Sequence, residues 1–145
     1  MPNPYSKLLV AIDFSDADRQ VLERARQLAG QHQAGITLLH VVEYMPMAYV
    51  DEIPPLESVE FSKALEQGAL KNLRALQDEL QPLETEVQVV TGMAKHEVVR
   101  VAEEIGADLI VIGSHGRHGI QLLLGSTANG VLHLAKCDVL AVRVK

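Results

Sequence analysis

The residues best suited to chemistry in this sequence run from Ile112 to Thr127 (IGSHGRHGIQLLLGST). Gly113 and Gly116 permit close approach of backbone to a ligand and positive φ angles. Gly125 removes a side chain where a helix is expected to begin. The amides of Ser126, Thr127 and Ala128 then lack partners within that helix and, with its dipole, form an anion site. The hydroxyls of Ser126 and Thr127 add donors, and Arg117 adds positive charge. Phosphate is the anion this arrangement suits best. Glycine-rich turns between strand and helix also serve geometry alone, and Ser126 could simply cap its helix, so spacing by itself leaves both readings open.

Asp13 closes an apolar run and is either a ligand-binding acid or a cap for the following helix. His115 and His118 stand three apart but lack a third ligand, which is weak support for zinc. They are expected to line the glycine loop or to face solvent. His40, inside an apolar run, reads as a hydrogen-bonded core histidine, and Cys137 beside Asp138 as a small packing residue. Leu122, Leu123 and Leu124 read as an apolar cover over the loop, the alternative being a partner-binding patch. The sequence contains no Gly-x4-Gly-Lys-Ser/Thr loop, no His-Arg-Asp or Asp-Phe-Gly element, and no Lys within the glycine loop. Efficient phosphoryl transfer is therefore not expected.

The elements that must position these groups alternate between strand and helix. Lys7–Asp13 (KLLVAID) and Ile36–Val42 (ITLLHVV) read as buried strands. Between them Val21, Leu22, Ala25, Leu28 and Ala29 recur at helical spacing, with Ser15 and Asp18 as a capping pair and Gly30 as the stop. Glu43–Glu57, with Pro46, Pro54 and Pro55, reads as a long mobile connection. From Ser58 a helix places Phe61, Leu65, Ala69, Leu73, Leu76 and Leu80 on one face and ends before Pro82. Glu84–Val90 forms a third strand closed by Thr91-Gly92. Val98, Val99, Ala102 and Ile105 mark a helix ended by Gly106. Asp108–Ile112, Ser126–Ala135 and Val139–Val144 complete the series as strand, helix and strand. This alternation predicts an α/β fold over residues 1–145: one domain with an open five-stranded parallel sheet and helices on both faces.

Composition narrows the function further. Nineteen acidic against thirteen basic residues give a net charge of −6, with no basic cluster to engage nucleic acid. Hydrophobic residues make up 48% and aromatic ones only 3%, so the core rests on Val, Leu, Ile and Ala. The single cysteine favours a reducing compartment. The opening residues carry no signal-peptide pattern, and no apolar run approaches the roughly 18 residues of a membrane span. A cytoplasmic protein without membrane insertion is expected.

Taken together, these features resemble the universal stress protein family over nearly the whole chain. The nucleotide-binding branch of that family carries Gly-x2-Gly-x9-Gly-Ser/Thr after its fourth strand. Here the spacing is Gly113-x2-Gly116-x8-Gly125-Ser126, one residue shorter. VAIDFS (Val10–Ser15), LLHVV (Leu38–Val42), DLIVIGSHG (Asp108–Gly116) and CDVLAVR (Cys137–Arg143) are further marks. The resemblance implies a Rossmann-like sheet of the adenine nucleotide alpha hydrolase type, with strand order 3-2-1-4-5. It implies ATP, or ADP or AMP, as ligand, with magnesium or manganese carried by the phosphates. Ala11 and Ile12 would line the adenine pocket, Asp13 would bond the ribose, and Val41 would offer backbone groups to the base. Ile112 and Gly113 would pass beneath the ribose and phosphates, with His115 lining the loop. Gly116, Arg117, Gly125, Ser126 and Thr127 would hold the phosphates. Pairing of last strands through Val139, Leu140, Ala141, Val142, Arg143 and Val144 would form a homodimer. The implied role is a nucleotide-sensing regulator in stress response, acting on a protein client. The alternatives are a slow ATPase or self-phosphorylating enzyme and a dimeric interaction protein without nucleotide.

Overall fold

The computed structural model of the chain describes residues 4–43, 55–114 and 124–144, the side chains of 55–59 excepted. Strands β1 (Lys7–Ala11), β2 (Gly35–Glu43), β3 (Thr85–Gly92), β4 (Leu109–Gly113) and β5 (Asp138–Val142) are mutually parallel and lie in the order β3-β2-β1-β4-β5. Helices α1 (Asp18–His32), α2 (Pro55–Glu79), α3 (Ala94–Ile105) and α4 (Ser126–Leu134) alternate with them.

The alternation of side chains along a strand divides the core in two. Leu8, Val10 and Ile12 face α1 and α2, where they meet Val21, Leu22, Ala25 and Leu73. Leu9 points the other way, toward Val98, Val101 and Ala102 of α3 and Ala128 and Val131 of α4. Buried on both faces, β1 and β4 are continuous apolar runs, as parallel strands require. At the amino edge the Asp108 carboxylate accepts bonds from Ser6 N–H (2.9 Å), Ser6 Oγ (2.9 Å) and Lys7 N–H (3.2 Å), fixing β1 against β4.

Several expected boundaries move. α1 does not stop at Gly30. It continues to His32 and closes on Gln33 in the left-handed region (φ 53°), with Ala34 N–H bonding Ala29 O at 2.9 Å. The buried Ala34 side chain anchors that ending in the core, so no glycine is needed. α3 does end on its glycine, Gly106, at φ 71°. The Ser15 cap is also displaced: the position before α1 is Ala17, and Ser15 Oγ accepts the Ala17 N–H at 3.3 Å. α2 begins at Pro55, a residue suited to the first turn because its missing N–H would bond nothing there. β5 ends at Val142, leaving Arg143 and Val144 beyond the strand.

The apolar stripe on α2 is buried only in part. Ala69, Leu73 and Leu80 are buried and Leu76 packs on the core, but Phe61 and Leu65 are 65% and 44% exposed. The reason is length: 25 residues of helix span about 37 Å, against about 26 Å for the eight residues of β3. The first turns of α2 therefore overhang the carboxyl edge of the sheet. Thr91 Oγ1 donates to Glu66 Oε1 at 2.7 Å and holds the overhanging part to the end of β3. Gln77 Nε2 donates to Thr85 O at 2.6 Å near the other end of the helix.

Gly30 and Gly130 offer a matched test. A Cβ at Gly30 would meet nothing within 4 Å, whereas one at Gly130 would lie 2.9 Å from Lys95 Cβ and 2.6 Å from Lys95 Cδ. Lys95 Cβ is fixed to the backbone of α3 and cannot swing aside. Gly30→Ala should raise unfolding free energy by about 0.5–1 kcal/mol through helix propensity. Gly130→Ala should lower it by about 1 kcal/mol, overpacking exceeding the same gain. Urea denaturation of the two variants checks both signs.

Candidate functional site

The chain passes from β1 to α1 on one face and from β4 to α4 on the other, so the carboxyl ends of β1 and β4 part into a crevice. The crevice opens into a cleft of about 820 Å³. Its floor is Ala11, Ile12 and Asp13 from β1 and the turn after it, with Ile112 and Gly113 from β4. Val41 lines it from β2, and Gly125, Ser126 and Thr127 line it from the start of α4. Nine of the twelve residues expected at a nucleotide site thus share one cavity. The other three, His115, Gly116 and Arg117, lie outside the described residues, as do His118, Leu122, Leu123 and most of the connection after Glu43.

The start of α4 leaves its first amides without partners inside the helix. Gly125 precedes the helix in an extended conformation (φ −62°, ψ 155°) and has no side chain with which to cap it. The first backbone bond of the turn runs from Asn129 N–H to Gly125 O, at 2.9 Å. The amides of Ser126, Thr127 and Ala128 precede that bond, and the first turn carries no acidic residue. The extended φ means that Gly125 is not required here for a left-handed turn. Gly125 N–H bonds Ser114 O, holding the helix start against the end of β4. Ser114 N–H in turn bonds Val142 O at 2.8 Å, and Val144 N–H bonds Ser114 Oγ at 3.3 Å. Leu124, the described member of the leucine run, is 40% exposed.

The opposite wall is acidic. Asp13 Oδ1 accepts the Ser15 N–H at 3.0 Å and the Ser15 hydroxyl at 2.6 Å, so the exposed carboxylate also serves the local turn, as its capping alternative anticipates. Asp18, the first residue of α1, reaches back instead of pairing with Ser15: its Oδ1 accepts the Asp13 N–H at 3.3 Å. Asp18 lines the cleft yet is only 8% exposed. Burial, and after it the negative charge of Asp13, pushes its carboxyl from 3.8 up to about 7. Between the two acids Phe14 adopts φ 60°, and its ring stacks on His40 with centroids 4.4 Å apart. His40 Nδ1–H donates to Ile12 O at 2.7 Å, giving the hydrogen-bonded strand histidine expected from its surroundings. Cys137 is half-buried against the α3–α4 face, and burial raises its thiol above the ordinary value.

Sequence reasoning misses Phe14, Asp18 and the α2 wall of the cleft, formed by Ala64, Leu65, Gly68, Ala69 and Asn72. The run of small residues at positions 64, 68 and 69 is a visible signal, but only the overhang of α2 shows that it faces a cavity. Among the described residues no three His, Cys, Asp or Glu side chains are grouped to hold a metal, and no helix is long and apolar enough to cross a membrane.

A sequence profile described as the universal stress protein family matches residues 4–143. The chain is similar to universal stress protein A homolog 1 of Coxiella burnetii, 39% identical over 141 residues and covering 97% of this chain and 98% of that protein. Among solved structures it is similar to protein MJ0577 of Methanocaldococcus jannaschii, with a TM-score of 0.85, 28% identity and 97% of each chain covered. It shares its fold with a universal stress protein solved in complex with cAMP (TM-score 0.72, 23% identity, 98% of this chain and 99% of that one).

The raised Asp18 carboxyl has a consequence for stability. In the unfolded chain it ionises near its ordinary 3.8, in the folded chain near 7, so the folded state loses stability as pH rises through that window. Asp18→Asn removes the loss. The difference in unfolding free energy between variant and native protein should grow from pH 4 to pH 7, in favour of the variant. It should level off above pH 8, where the carboxyl is ionised in both states, as read by denaturant titration at each pH.

Proposed function

Because the chain belongs to the universal stress protein family, we propose that it binds an adenine nucleotide and works as a nucleotide-sensing regulatory dimer in the response to stress. The observation that carries this reading is the uncapped start of α4, with no acid in its first turn, facing the cleft at the crossing point of the sheet. Ser126 and Thr127 amides and hydroxyls hold the phosphates, and Gly113 and Gly125 leave room beside them. Asp13, exposed at the floor, accepts a ribose hydroxyl. Ala11, Ile12 and Val41 offer the apolar surround a base requires. Arg117, with Gly116 and His115, completes the grip from the glycine loop. Magnesium or manganese carried by the phosphates would neutralise part of their charge. The cAMP carried by a relative of the same fold supports an adenine ligand.

The whole chain acts as one domain in a reducing compartment such as the cytoplasm, consistent with its single free Cys137. Turnover of ATP is slow, because the sequence has no Gly-x4-Gly-Lys-Ser/Thr loop and no Lys within the glycine loop to neutralise a transferring phosphoryl group. Binding clamps the glycine loop and the connection after Glu43, and so changes the surface offered to a protein client.

Two measurements test this. Native protein, denatured in acid, should release an adenine nucleotide identifiable by mass spectrometry. Gly125→Leu, which places a side chain over the α4 amides, should weaken ATP binding at least about thirtyfold, equivalent to about 2 kcal/mol, with the circular dichroism spectrum unchanged. Unaltered affinity in that variant removes the phosphate grip.

The dimer is proposed from β5, which ends the sheet and pairs with β4 alone. Val139, Leu140 and Ala141 are half-buried, and an edge of this kind favours pairing with another strand. Val142 is already buried in the subunit core, while Arg143 and Val144 extend the edge beyond the strand. Sedimentation equilibrium at micromolar concentration should give twice the 15.9 kDa chain mass. A monomer mass would exclude the pairing.

A further inference from the structure

Asp18 is the only ionisable side chain buried among the described residues, and it lies in the wall of the cleft. Its position is unusual in what it organises. By accepting the Asp13 N–H at 3.3 Å, its carboxylate draws the chain after β1 into a tight turn. That turn holds Phe14 at φ 60°, a conformation that costs a side-chain-bearing residue about 1 kcal/mol or more. Phe14 then rests on His40, whose ring is tied back to Ile12 O. Through these bonds Asp18 sets where the Asp13 carboxylate stands at the floor of the cleft.

We propose that Asp18 is a positioning residue for the nucleotide site, and that the proton it exchanges makes nucleotide affinity rise as the medium acidifies. The inference rests on the nucleotide reading given above and deepens it. The groups that face Asp18 across the cavity decide the sign. The turn after β1 presents the Asp13 carboxylate, and β2 presents His40 and the Glu43 carboxylate. The parts of α2, α3 and α4 that line the cleft carry no ionisable side chain among the described residues. The Asp13 carboxylate already bears on Asp18, and an entering phosphate chain adds further negative charge to the same cavity. Each favours the protonated form of Asp18. The free protein holds this carboxyl near half-protonation at neutral pH, since it titrates at about 7. Binding of the anion raises that value, so binding takes up a proton. By linkage, affinity is then highest below the free-protein value and falls as pH rises through it.

The test is calorimetric titration of MgATP into the full chain and into Asp18→Asn, at pH 6.0 and pH 8.5. Asn keeps an acceptor oxygen for the Asp13 amide but exchanges no proton. The titrations of His40 and of ATP itself are common to both proteins and cancel in the comparison. Affinity of the native protein, relative to the variant, should be about sevenfold greater at pH 6.0 than at pH 8.5, the size expected if bound phosphate raises the carboxyl from about 7 to about 8. Parallel pH profiles with ATP bound would overturn the role of Asp18 and leave the nucleotide site standing. Absence of ATP binding by either protein at both pH values would remove the nucleotide reading and this inference together. Should Asp18→Asn fail to fold, carbon-13 titration of the Asp18 carboxyl in the native protein decides the matter. A midpoint that moves upward on adding MgATP supports the proposal, and an unmoved midpoint overturns it.

Discussion

Handedness is the constraint from which the rest of this structure follows. A right-handed crossover lays its helix on one face when the chain moves in one direction along a sheet, and on the other when it moves back. From β1 to β3 the chain steps outward, so α1 and α2 share a face. From β3 it returns past β1 to β4 and then β5, so α3 and α4 share the opposite one. Only between β1 and β4 do the connections leave the sheet toward different sides, and only there can a cavity open without removing core. The overhang of α2 then adds a wall that the sheet alone would not provide.

The amino ends of α1 and α4 both stand at this cavity, and they are treated in opposite ways. The end of α1 is occupied by the protein itself: Asp18 stands in its first turn, with Asp13 beside it. The end of α4 has neither a capping side chain nor an acid in its first turn. One pole is satisfied internally and the other is left for an external charge. The resulting field runs across the cleft from a carboxylate wall to an amide wall, which orients a ligand having polyol character at one end and anionic character at the other.

Much of this arrangement is legible in the amino-acid order. The apolar runs of β1, β2 and β4 are long enough to identify buried strands, and Gly113, Gly125, Ser126 and Thr127 announce the turn into α4. Gly106 marks its helix end correctly because its φ is positive, while Gly30 misleads because Gln33 takes the left-handed position instead. Ser15 and Asp18 have the spacing of a capping pair, yet the tertiary fold directs Asp18 to the Asp13 amide. Phe61 and Leu65 share the helical face of Leu73, but helical period cannot show where the underlying sheet ends. These failures have one origin: local pattern fixes which residues point alike, whereas burial depends on how far the neighbouring element extends.

Ser114 gives the fold a mechanical property. Its carbonyl receives the Gly125 amide at the head of α4, its own amide binds Val142, and its hydroxyl receives the amide of Val144. A single small residue is therefore the pivot between the outermost strand and the amides that face the cleft. Any force applied along that rim of the sheet is delivered, through three hydrogen bonds, to the place where a bound anion would be held.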